Sequence, residues 1–185
     1  MAVKKTKSKA WYTIISPEMF GSKEIGKTTA VDPDYLVGRK ITVSAMEAAN
    51  NYSKYYLKFK VRVDKVDGDK VLTSFDGSEC MRDYISRMVL RHVRRIDTVQ
   101  DLKTKDGKKV RVKSLAIVSK KMNSSIVKVV RKRIQDDVKE LVDNSSLEEL
   151  VNGIIDDNMK IRVLDDIRKI YPVRTFEFRK TEVLA

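Results

Sequence analysis

Between Tyr56 and Val66 apolar and charged residues alternate: Leu57, Phe59, Val61 and Val63 against Lys58, Lys60, Arg62 and Asp64. A period of two puts these sets on opposite faces of an extended chain, whereas a helix would scatter them around its axis. The segment is therefore a half-buried strand with one solvated face. Asp67-Gly68 supplies a tight hairpin turn, and Val71 to Phe75 is the returning strand. A second pair, Asp106-Gly107, joins a strand from about Ile96 to Thr104 to another from Val110 to Val118. Trp11 to Ile15 is a short strand ended by Pro17. Thr28, Thr29 and Val31 suggest another before the Asp32-Pro33 turn, and Lys40 to Val43 follows Gly38.

After Asp76-Gly77 the period changes. Met81, Tyr84, Ile85, Met88 and Val89 form one stripe of a helix expected near Ser78 to His92, with Arg82, Arg87 and Arg91 facing outward. A long helix runs to about Asp143, capped by Ser124 or Ser125. Its apolar face is Ile126, Val127, Val130, Ile134, Val138, Leu141 and Val142. Ser145 or Ser146 opens the next helix, with Glu148 or Glu149 as a capping-box partner. A third runs to about Tyr171 and stops at Pro172; Val173 to Val183 is a final strand. The expected fold is α+β: a curled, barrel-like, mostly antiparallel sheet with helices concentrated in the C-terminal half. It forms one domain over residues 11–185, behind a basic, flexible arm over residues 1–10.

The charge is uneven. The 185 residues hold 39 Lys and Arg against 26 Asp and Glu, a formal net charge of +13, and the sequence pI is about 9.7. Between Gly107 and Gln135 there are ten bases and no acid; from Asp136 to Asp166 there are ten acids and three bases. A surface built for solubility intersperses its signs. A one-sided run repels itself unless something negative lies against it, and a nucleic-acid backbone offers a regular array of negative charge. The long helix also places bases early and acids late, against its own dipole, which a phosphate at its start would reverse. Charge clustering selects the RNA-binding candidates: Lys4, Lys5, Lys7 and Lys9 in the arm, Lys23 and Lys27 in a glycine-rich loop, Arg82, Arg91, Arg94 and Arg95, Lys108 and Lys109, Lys120 and Lys121, and Lys128, Arg131, Lys132 and Arg133. Of these, Lys120, Lys121, Arg131, Lys132 and Arg133 are expected to contribute most.

Other chemistry finds little support. Gly21 to Thr28 matches G-x-x-x-x-G-K-[ST], but a P-loop needs a helix directly after it, and here strand-formers and Pro33 follow. Nucleotide hydrolysis remains the enzymatic alternative. His92 is the sole histidine and is expected at a helix C-terminus among arginines. His92 and Cys80 cannot alone hold zinc, and Cys80 is assigned to the core. We assign no catalytic residue, metal or cofactor. A lone cysteine excludes an internal disulfide, and no segment approaches a membrane span. Trp11 and Tyr12 point to opposite faces of their strand, so at least one belongs in the core, and the other can stack on bases. Phe176 and Phe178 are assigned to the core.

Several landmarks occur in a familiar order: Lys9-Ala10-Trp11-Tyr12, Pro17, Met19-Phe20-Gly21, Ile25-Gly26-Lys27-Thr28, Gly38-Arg39, Arg82-Asp83-Tyr84, Arg94-Arg95-Ile96-Asp97, Thr104-Lys105-Asp106-Gly107 and Ile170-Tyr171-Pro172. From about Lys9 to Leu184 the chain resembles the archaeal and eukaryotic small-subunit ribosomal protein family S-three-A-e, also called eukaryotic-type S-one. It lacks the long basic C-terminal extension of eukaryotic members and looks more like an archaeal one. The resemblance implies a non-enzymatic, cytoplasmic, rRNA-binding protein on the platform of the small subunit. It would lie near the mRNA exit and the 3′ end of the rRNA, with neighbouring ribosomal proteins and mRNA as contacts and no membrane or small-molecule partner. The alternative from the residues alone is an RNA-binding adaptor acting off the ribosome.

Overall fold

A computed structural model describes residues 8–49 and 51–184; the predicted arm residues Lys4, Lys5 and Lys7 lie outside them. Backbone contacts divide the chain into two units, Met1–Asp76 and Gly77–Ala185.

The N-terminal unit is built from β1 (Ala10–Ile15), β2 (Glu24–Ala30), β3 (Lys40–Ser44), a short helix α1 (Ala45–Ala49), β4 (Leu57–Asp67) and the first part of β5 (Lys70–Cys80). Their order is β2-β1-β5-β4-β3. The β1–β2 and β3–β4 pairs are antiparallel, while β1 and β5 run parallel. The alternation of β4 is realised: Leu57, Phe59, Val61 and Val63 are buried. Tyr12, Ala30, Leu36, Val63 and Val71 make one cluster. Phe59 stacks on Phe20 with centroids 4.9 Å apart and meets Phe75 edge-on at 5.9 Å. Each such buried side chain contributes about 1.5–3 kcal/mol, which is what holds a sheet whose other face is polar.

In the C-terminal unit the end of β5 pairs with β8 (Thr175–Leu184), β8 with β7 (Lys109–Val118), and β7 with β6 (Arg94–Lys103), all antiparallel. The helices are α2 (Arg82–Met88), α3 (Ser124–Asp143), α4 (Leu147–Ile155) and α5 (Asn158–Arg168). Helix α3 packs on β6 and on α5, and α5 packs on β8. Val130, Ile134, Val138 and Val142 form the buried stripe of α3. Phe176 and Phe178 are core residues with rings in edge contact, and Cys80 is buried, its thiol donating to the Phe178 carbonyl. Thus the fold is mixed α and β, mostly antiparallel, with the larger helices in the C-terminal half. The sheet is not closed: among the described residues β2, β3 and β6 each pair on one side only.

Two local readings need correction. Asp76-Gly77 does not end β5, which continues to Cys80. Gly77 lies so close to β8 that an added Cβ would strike the Thr181 carbonyl, and Ser78 Oγ sits 2.7 Å from Thr181 Oγ1. Tertiary pairing therefore overrides a local turn signal, and the helix that follows is only Arg82–Met88, with none of its residues fully buried. His92 is not that helix's cap. It is an exposed turn residue with φ +68°, four residues past the end of α2. Of two expected caps, one forms and one does not. Ser146 and Glu149 form the capping box predicted for α4. At α3 the cap is Asn123 rather than a serine, and no side-chain hydrogen bond closes it.

Candidate nucleic-acid interface

The β6–β7 hairpin sets the frame of the site. Arg94 lies opposite Val118 at one end of its ladder and Lys103 opposite Lys109 at the other. Ten paired positions at about 3.3 Å each separate the ends by roughly 30 Å. The chain leaves β7 at Val118, passes Lys120 and Lys121, and returns as α3, whose 20 residues span a similar length at about 1.5 Å each. The far end of α3 is pinned to the hairpin tip: Lys105 N donates to Ser145 O at 3.0 Å, and Leu147 N donates to Asp106 Oδ2 at 2.8 Å. Midway, Gln100 Nε2 donates to Gln135 O. The start of α3 therefore stands at the Arg94 end.

This geometry divides the basic run. Lys120, Lys121, Lys128, Arg131 and Lys132 gather with Arg94 towards one end, all exposed. Lys108 and Lys109 are exposed at the opposite end. Lys128, Arg131 and Lys132 occur at i, i+3 and i+4, so they share one stripe of the helix, away from the buried Val127, Val130 and Ile134. Tyr171 Oη donates to the Lys121 carbonyl, fixing the connecting segment.

Three other bases of the run are engaged by carboxylates. Arg111 makes a bidentate pair with Asp101 at 2.6 and 2.7 Å, which holds the Asp101 carboxyl below the usual range. Lys113 reaches Glu182 at 3.0 Å. Arg133 binds Asp137 at 2.9 Å and approaches Asp166 at 3.6 Å. Burial pushes Asp137 upward in pKa against the pull of Arg133, and its Oδ2 lacks a hydrogen-bond partner among the described residues. Arg133 is thus committed to balancing a buried carboxylate, unlike the rest of the predicted cluster. The other seven bases of the run have no ion pair among the described residues.

A separate cavity of about 400 Å³ brings Arg82 and Arg95 together with Lys113, Arg179 and Lys180, three bases outside the set of RNA-binding candidates. The bidentate Arg95–Asp97 pair, with contacts of 2.7–3.0 Å, neutralises one of them. Lys113 and Lys180 are register partners, so like charges stand opposite each other. Glu182 relieves this, accepting from Lys180 at 2.5 Å and Lys113 at 3.0 Å, and its pKa falls to about 2. Only the strand register reveals this clustering, because these residues are up to 98 apart in sequence.

The remaining candidates are scattered. Arg91 is exposed in the turn after α2. In the N-terminal unit Lys9, Lys23 and Lys27 are exposed. The Lys23 backbone is clasped by Ser16, donating to its hydroxyl and accepting from its N–H. Gly21 closes a 3₁₀ turn with φ +85°, and β2 then starts at Glu24, with Lys27 opposite Thr13 in the β1–β2 ladder. A strand stands where a P-loop requires a helix, so the Gly-Lys-Thr segment cannot wrap a nucleotide's phosphates. Among the described residues no group of acidic, His and Cys side chains could hold a metal ion, and no helix is long and apolar enough to cross a membrane.

Comparison with known proteins gives the family. The model of the Ribosomal S3Ae family matches residues 1–185. A protein named small ribosomal subunit protein eS1 from Methanobrevibacter smithii is 38% identical over 178 residues, covering 96% of this chain and 92% of that one. Its namesake in Methanothermobacter thermautotrophicus is 36% identical over 178 residues, covering 96% and 91%. That of Sulfurisphaera tokodaii is 34% identical over 180 residues, covering 97% and 93%. On the full-length family match and these relatives, the chain belongs to the Ribosomal S3Ae family.

Proposed function

We propose that this chain is a structural constituent of the small ribosomal subunit, acting in the cytoplasm by binding rRNA rather than by catalysis. The observation that carries the reading is the set of exposed, carboxylate-free bases at the Arg94 end of the β6–β7 hairpin, in a chain of this family. Lys120 and Lys121 precede α3, and Lys128, Arg131 and Lys132 line its first half. The α3 N-terminus has neither an acid in its first turn nor a side-chain cap. Its free N–H groups and nearby cations suit phosphate. Phosphate contacts position such a protein, and folded RNA shape supplies specificity.

The finer placement is on the platform, near the mRNA exit and the 3′ end of the rRNA, with mRNA and neighbouring ribosomal proteins as further contacts. Arg133, Arg111 and Lys113 serve the fold, so we remove Arg133 from the five bases expected to dominate and put Lys128 in its place. The test is the salt dependence of binding to small-subunit rRNA. Replacing Lys120, Lys121, Lys128, Arg131 and Lys132 together with Ala should flatten the slope of log K against log salt by about 0.7–0.9 per lost phosphate contact. An unchanged slope would assign this end of the hairpin to solvent.

A further inference from the structure

The sheet of the N-terminal unit has one covered face and one open face. Side chains alternate across a strand, and Tyr12, Ala30, Val63 and Val71 define the covered side. The open side follows from the pairings. Trp11 lies opposite Thr29, and Thr13 is the register partner of both Lys27 and Lys70. Lys40 lies opposite Arg62, and Ser44 opposite Lys58. Ser74 donates to Asp64 Oδ1 at 2.9 Å on this same side.

Charge on this face is predominantly positive. Asp76 pairs with Lys40 at 2.8 Å and Asp64 lies 3.8 Å from Arg62. Lys27, Lys58 and Lys70 have no ion pair among the described residues. Two residues before Thr13, the partner of Lys27 and Lys70, Trp11 is 68% exposed. Tryptophan is highly buried on average, so an indole left on an open sheet is available as a contact surface. A protein partner is disfavoured, because interface cores combine aromatics with a depletion of lysine. Aromatic and basic side chains together make a platform for unpaired nucleic acid, where bases stack on rings and phosphates meet cations. Duplex RNA keeps its bases stacked internally and offers no free face to an indole.

We propose that this open face binds an unpaired RNA strand, with a base lying on the Trp11 indole and the adjoining phosphates beside Lys27 and Lys70. The proposal rests on the RNA-binding reading above and adds to it a second surface that selects unpaired bases. Neither Trp11 nor Lys58, Arg62 and Lys70 were among the residues selected by charge clustering, because alternation alone describes a solvated strand face.

Trp11 is the only tryptophan in the chain, so its fluorescence reports this face directly. The purified full chain is titrated with a short oligouridylate and with an RNA duplex of equal charge. Oligouridylate should quench Trp11 emission. Trp11→Ala should weaken oligouridylate binding about 5- to 150-fold, Trp11→Phe should restore most of it, and duplex affinity should stay unchanged in both variants. Oligouridylate bound without quenching, or equally well by Trp11→Ala, overturns the proposal and leaves the Arg94-end interface standing. The same holds if Trp11 emission responds to other ribosomal proteins and not to RNA. If neither RNA binds the wild-type chain, the RNA-binding reading fails and this proposal fails with it.

Discussion

Trp11 and Tyr12 are neighbours in β1 that face opposite ways: Trp11 is 68% exposed, whereas Tyr12 is 8% exposed and packs in the cluster with Leu36, Val63 and Val71. Alternation along one strand thus divides an aromatic pair between stability and surface chemistry. Tyr12→Ala removes most of a buried side chain and should cost about 3 kcal/mol. Trp11→Ala should change stability by no more than about 0.5 kcal/mol. Urea unfolding of the two variants checks the contrast.

Gly77 is needed for close approach rather than for an unusual backbone angle. Its position against the Thr181 carbonyl leaves no room for a methyl group, and the obstacle is backbone rather than a movable side chain. Gly77→Ala should destabilise the chain by about 1–3 kcal/mol. Loss of amide-exchange protection at Ser78 and Thr181 would locate the damage.

Glu177 is 3% exposed, yet it accepts from Lys160 Nζ at 2.5 Å and from Tyr84 Oη at 2.9 Å. Removing one partner of a buried pair leaves an uncompensated charge. Lys160→Met should therefore cost about 3 kcal/mol or more. Lys160→Met combined with Glu177→Gln should recover part of that loss, and thermal unfolding of the single and double variants measures the coupling.

Glu182 makes stability pH-dependent. Hydrogen bonds from Lys180 and Lys113 bring its pKa down to about 2 from an ordinary 4.5. Its contribution is complete above pH 4.5 and is lost as the pH falls from 4.5 towards 2. Partial exposure screens the effect, so Glu182→Gln should lose about 1 kcal/mol at neutral pH. The difference from wild type should vanish towards pH 2. Asp137 has the opposite sign, since burial raises its pKa and protonation favours the folded state.

Much of the fold was legible because its signals are local. The alternation of β4, the turns at Gly68 and Gly107, and the Ser146–Glu149 box each depend on residues a few positions apart. The continuation of β5 past Gly77 was not legible, because it depends on Thr181 more than 100 residues away. The site divides similarly. Exposed bases could be counted, but Arg133–Asp166, Lys113–Glu182 and the cavity joining Arg82 to Arg179 depend on helix packing and strand register.

The most direct measurement is sedimentation of a native extract through a sucrose gradient at low and moderate salt, comparing wild type with the variant that lacks Lys120, Lys121, Lys128, Arg131 and Lys132. The account predicts that the wild-type chain travels with small subunits through the moderate-salt wash and that the variant is released. A wild-type chain that stays at the top of the gradient would contradict the ribosomal assignment.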